Sequence, residues 1–93
     1  MYYDFYEGYK VFYIEGYFNH EYYKIDYYYN KDLNDWKAYY EFVNMNSILA
    51  ECIKNSANNV TKFISHKKPS QISSEDVMPN FNIAGFSFYF YKD

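Results

Sequence analysis

Three carboxylates, Glu15, Asp26 and Glu41, each sit between apolar or aromatic neighbours in stretches that read as extended chain. Two acids held together can do general acid–base work, one giving a proton while the other takes one. These three alternate out of step with Phe12, Ile14, Ile25 and Phe42, which places them on the solvated side of a sheet. Their expected role is to keep a contact surface hydrated, not catalysis. His20 and His66 are far apart and belong to unlike elements. Neither has a second His, Cys or acid at ligand spacing, so no metal site is expected. Cys52 is the single cysteine, so it forms no internal disulfide. A thiolate beside a histidine would be a nucleophile, but Cys52 lies on an apolar helical stripe and is expected to be a small core residue. The three glycines are isolated, so no phosphate-binding loop is formed. The chain is therefore expected not to be an enzyme and to use no cofactor.

One stretch must position the rest. From Ser47 to His66, Ile48, Leu49, Cys52, Ile53, Ala57, Val60, Phe63 and Ile64 keep to one side of a 3.6-residue repeat. Glu51, Lys54, Asn55, Asn58, Thr61, Lys62 and Ser65 take the other side. Asn44, Asn46 and Ser47 can each cap its start. His66, Lys67 and Lys68 suit its end, and Pro69 stops it.

Around that helix the chain alternates with period two. Tyr2–Tyr6 is a short strand candidate, followed by a Glu7-Gly8 turn. Tyr9–Phe18 and Glu21–Tyr29 are two longer strands joined by Asn19-His20, a two-residue hairpin connection. That turn sets Phe18 opposite Glu21, Tyr17 opposite Tyr22, Glu15 opposite Lys24, Ile14 opposite Ile25 and Phe12 opposite Tyr27. A one-residue slip would break the charge pair. Trp36–Val43 alternates as a fourth strand, although Leu33, Trp36, Tyr39, Tyr40 and Val43 also fit a helical stripe. Ser70–Asn80 is a loop with one turn of helix capped by Ser73 opposite Asp76. Phe86–Tyr91 is the last strand, with Phe86, Phe88 and Phe90 towards the helix. The expected fold is one α+β domain over residues 1–93, two-layered, with a four- or five-stranded antiparallel sheet packed on one central helix.

The inner face of the hairpin then holds Phe12, Ile14, Phe18, Tyr23, Ile25 and Tyr27, and the outer face begins with Val11. The outer face gathers Tyr13, Tyr17, Tyr22, Tyr28, Tyr39, Tyr89 and Tyr91 among Glu15, Lys24, Asp26 and Glu41. These tyrosines and acids are the candidate binding residues. Tyrosine offers large, rigid, amphipathic area at low entropic cost, the property that contact surfaces use. Such rings also stack on single-stranded nucleic acid, but a nucleic-acid groove needs cations. This face carries three acids against Lys24 and Lys37, and the chain has no Arg, so a protein partner ranks above nucleic acid. A symmetric homodimer burying Tyr17, Tyr22 and Tyr89 would also cover the patch.

Composition narrows the setting. Of 93 residues, 27 % are aromatic, with 15 Tyr and 9 Phe. Phe, Tyr, Met, Ile, Asn and Lys make up 53 residues, all favoured by A/T-rich codons. The net charge of −3 is uneven: residues 1–44 carry eight acids against four Lys, and residues 45–93 four acids against five Lys. Met1-Tyr2-Tyr3-Asp4 has neither the basic start nor the apolar run of a signal peptide, and no stretch reaches the length of a membrane span. A cytoplasmic protein without membrane contact is expected. In size and composition alone, the chain resembles small virus-encoded inhibitors, anti-CRISPR proteins among them. That resemblance implies a non-catalytic, virus- or mobile-element-encoded inhibitor acting in the host cytoplasm by occupying a surface of a host defence protein.

Overall fold

The computed structural model of the chain describes residues 8–92. The expected Tyr2–Tyr6 strand and the Glu7 end of its turn lie outside them. Three strands come first: β1 (Tyr9–Phe18), β2 (Glu21–Asn30) and β3 (Asp35–Phe42). The long helix α1 (Ser47–Ile64) follows, then a short helix α2 (Ser74–Val77) between two 3₁₀ turns, and finally β4 (Phe86–Phe90). The four strands form one antiparallel sheet in the order β3-β2-β1-β4. This is the expected α+β fold, an antiparallel sheet with one long helix.

Local chemistry explains each junction. Asn19 and His20 both take left-handed backbone, at φ 54° and 68°, as a primed hairpin turn requires. The β1–β2 pairs are those fixed by that turn: Phe18 with Glu21, Tyr17 with Tyr22, Glu15 with Lys24, Ile14 with Ile25 and Phe12 with Tyr27. Between β2 and β3, Asn30 Oδ1 accepts from the amides of Asp32 and Leu33, and Tyr29 donates to Asn34 Oδ1. Asn46 is the cap of α1, its side chain accepting from the Leu49 amide at 2.9 Å. Ser73 caps α2 through the Asp76 amide. Gly85, at φ 79°, turns the chain into β4.

The core lies between the inner sheet face and the helical layer. Phe12, Ile14, Tyr23, Ile25 and Tyr27 are fully buried there with Ile53, Ala57, Val60 and Ile64 of α1. The Tyr27 hydroxyl donates to the Ala57 carbonyl at 2.8 Å, and Trp36 Nε1 donates to the Lys67 carbonyl at 2.9 Å. Both bonds tie the β2–β3 side of the sheet to the helix and its exit. At the other side, Phe81 covers Tyr23 and Phe86.

Five expectations are corrected. Val11 belongs to the core, not the outer face, because the register shifts between Lys10 and Phe12. The bulge puts Val11 and Phe12 both inside and restores the outward row at Lys10. Cys52 is exposed, not a core residue. Ile48 is also outside, at 75 % exposure. The buried stripe of α1 is Ala50, Ile53, Ser56, Ala57, Val60 and Ile64, rotated away from Ile48 and Cys52. Phe90 shares the inner face with Phe12, as expected, but is exposed there instead of covered by the helix. Among the described residues β4 is an edge strand paired only with β1, and its inner rings pack on sheet and loop aromatics: Phe88 on Phe12 and Phe86 on Phe81, both at 4.9 Å between centroids. Last, α1 ends at Ile64, before His66.

Candidate functional site

The outer face of the sheet is built in rows that cross the strands. One row reads Lys37, Tyr28, Lys10. The next reads Tyr39, Asp26, Tyr13, Tyr89, and the third Glu41, Lys24, Glu15, Ser87. Tyr17 and Tyr22 close the far end as a pair. Tyr91 continues beyond β4, its amide donating to the Val11 carbonyl. All ten candidate binding residues therefore share this one face. Strict alternation in paired strands makes this unavoidable once the hairpin register is set.

The rings are in contact both along the rows and between them. Tyr13 lies 5.3 Å from Tyr89 and 4.9 Å from Tyr91 between centroids, Tyr17 lies 5.7 Å from Tyr22, and Tyr28 lies 4.9 Å from Tyr39. Lys24 Nζ sits 4.6 Å over the Tyr13 ring and Lys10 Nζ 5.3 Å from the Tyr91 centroid, both within cation–π range. Two carboxylates are taken up by phenols. Tyr22 donates to Glu15 Oε1 at 2.7 Å, and Tyr91 donates to Asp26 Oδ1. Burial, then the bonded carboxylate, pushes the Tyr22 and Tyr91 hydroxyls above their ordinary range. Both phenols therefore stay protonated donors at neutral pH.

Exposure divides the face into a framework and contact positions. Tyr13, Tyr22, Tyr28 and Tyr91 are half-buried. Tyr17, Tyr89 and Tyr39 stand out at 66 %, 48 % and 37 % exposure. The framework fixes side chains that would otherwise lose rotamer freedom on binding, so the outer rings are presented at reduced entropic cost.

Sequence reasoning missed one member of this face. Lys10 enters it through the bulge and, with Lys37, makes the first row basic. Alternation alone shows Lys37, but an extra residue at Val11 leaves no mark in the pattern. Elsewhere, His66, Lys67, Lys68 and Ser65 line a cavity of about 390 Å³ with Tyr29 and Asn34. Ile48 and Cys52 flank a shallow apolar depression with Ser47, Glu51 and Asn55. Among the described residues, no three His, Cys, Asp or Glu side chains come together as metal ligands would. Among them, too, no helix is long and apolar enough to cross a membrane. The chain matches no family model, no curated protein and no solved structure.

Proposed function

We propose that this chain is a small non-catalytic protein-binding module that acts by occupying a surface of a larger protein with its tyrosine face. The observation that carries this reading is the arrangement of exposed Tyr17, Tyr39 and Tyr89 around a framework of hydrogen-bonded phenols in tilted and edge-on ring contact. Exposed aromatic residues grouped on one face and rimmed by charge are a mark of a contact surface. Aromatic rings over an evenly mixed set of Lys and acids suit a protein surface, where a few aromatic anchors dominate the energy. The partner class proposed is a host defence protein or its complex. What supports that class is the A/T-rich composition, which fits viruses and mobile elements as well as many low-GC bacteria and archaea, and the likeness in size to virus-encoded inhibitors; the proposed setting is the host cytoplasm.

Capture from a host lysate with wild-type protein, beside a Tyr17→Lys/Tyr89→Lys variant, tests the reading. Both residues are exposed, so the variant keeps its fold. A stoichiometric protein captured by the wild type and lost by the variant supports the proposal. Equal capture by both places binding elsewhere and overturns it. Single-stranded nucleic acid is the alternative occupant of the same rings. The acids on this face and the absence of Arg argue against it. Fluorescence anisotropy with oligonucleotides at low salt should stay flat, and salt-sensitive binding would reverse the ranking.

A further inference from the structure

Two rows of the outer face differ in charge: Lys37, Tyr28 and Lys10 form one, and Glu41, Lys24 and Glu15 the other, with the Asp26 row between them. Lys37 and Lys10 sit one row to one side of the Tyr39–Asp26–Tyr13–Tyr89 row, and Glu41 and Glu15 one row to the other. A two-fold axis lying along the central row exchanges the outer rows while keeping each strand over its own copy. Lys37 of one copy then faces Glu41 of the other, and Lys10 faces Glu15, each pair occurring twice. Just past β4, Tyr91 falls opposite Ser87 of the other copy, large against small.

From this pattern we propose that the tyrosine face closes on a second copy of this chain in an antiparallel, face-to-face dimer, and that a target must displace that copy to bind. The inference rests on reading the outer face as a contact surface and names its resting partner. Charges repeated at equal distance on either side of one row make the face self-complementary, as an isologous contact requires. Asp26 falls on the axis, where its own mate would repel it. Its carboxylate already accepts from the Tyr91 hydroxyl, and Lys24 is in the adjacent row. Aromatic residues fill the rest of the central row.

The area is sufficient but small. Four strands at about 4.8 Å spacing and about eight residues at about 3.4 Å rise cover roughly 500 Å² per copy. The total of roughly 1,000 Å² stands at the lower limit for a specific interface, so the dimer is a weak one that exchanges readily. A weak dimer protects an aromatic face from indiscriminate contact and still yields it to a tighter partner.

Sedimentation velocity on the whole chain, at concentrations on the order of 100 µM, tests the proposal. Wild type should be a dimer in exchange with monomer. Lys37→Glu alone sets a new carboxylate against Glu41 of the other copy, twice per dimer. It should weaken association about ten-fold or more, as should Glu41→Lys. Mixing the two single variants creates two attractive pairs and should restore association as a heterodimer, a result no folding defect produces. Circular dichroism melts confirm that each variant is folded. If Glu41→Lys does not fold beside Lys24, Glu41→Gln takes its place and should weaken the dimer several-fold. A wild-type monomer, single variants that dimerise like wild type, or folded variants that fail to associate on mixing each overturn the dimer. A wild-type monomer overturns only this inference, because the lysate capture judges target binding separately.

Discussion

Tyr23 and Tyr27 are four residues apart on β2, both fully buried, and they put opposite demands on the same chemical group. The Tyr27 hydroxyl donates to the Ala57 carbonyl. The Tyr23 hydroxyl is buried with no hydrogen-bond partner among the described residues. Its ring lies across from Gly16, where an added methyl group would come to 3.0 Å from the hydroxyl oxygen. Replacing each tyrosine with phenylalanine removes one oxygen and little volume. At Tyr27 that forfeits a net hydrogen bond, and the variant should lose about 1 kcal/mol. The loss stays modest because the Ala57 carbonyl keeps the Thr61 hydroxyl at 3.0 Å. At Tyr23 the change relieves an unsatisfied buried hydroxyl, which costs about 1–3 kcal/mol, so Tyr23→Phe should gain about 1 kcal/mol. For a chain of this size that is a rise of about 4–8 °C in Tm. Urea and thermal unfolding at neutral pH measure both variants against wild type. Destabilisation of about 1 kcal/mol by Tyr23→Phe, alongside Tyr27→Phe, would refute the reasoning and require a partner for the Tyr23 hydroxyl.

Alkaline pH should unfold the protein progressively. Burial pushes the Tyr23 hydroxyl up to about 12, and Tyr22, Tyr27, Tyr28, Tyr40 and Tyr91 are shifted in the same direction, chiefly by burial. Above about pH 10 the unfolded chain loses these protons first, so stability is full below that pH and falls above it; Tyr23 alone accounts for about 2–3 kcal/mol by about pH 12. A urea midpoint that stays flat from about pH 9 to about pH 12 would contradict this, and Tyr23→Phe should flatten the decline. Gly16→Ala should lose about 1–3 kcal/mol, because the new Cβ would meet the Tyr23 hydroxyl, the Gly85 carbonyl and Phe86 Cα within 3.0–3.2 Å. Wild-type stability in that variant would mean that β4 can move away freely. Cys52 should react with a thiol reagent in the native protein at close to the rate of the unfolded chain, since it is exposed; strong native protection would show it buried by self-association or by a different helix rotation.

The hairpin was legible residue by residue because its determinants are local. Asn19-His20 dictates a two-residue turn, the turn dictates the pairs, and period-two alternation then assigns the faces. The tyrosine face follows from the same rule, which is why its ten candidate residues are found together. The start of α1 and the capped turn at Ser73 were legible for the same reason, each being a side chain bonding an amide three residues on. The rotation of α1 was not local. Ile48, Leu49 and Cys52 fit an apolar stripe as well as Ala50 and Ser56 do, and hydrophobicity favours the first set. The structure buries the second, because small side chains let the helix approach a sheet whose inner face is paved with Phe and Tyr. The bulge at Val11, the edge position of β4 and the unsatisfied Tyr23 hydroxyl likewise depend on which residues meet across the sheet. Sequence period sets which side of a strand a residue takes; only packing between elements decides how the helix is turned, where a strand gains a residue and which hydroxyl goes without a partner.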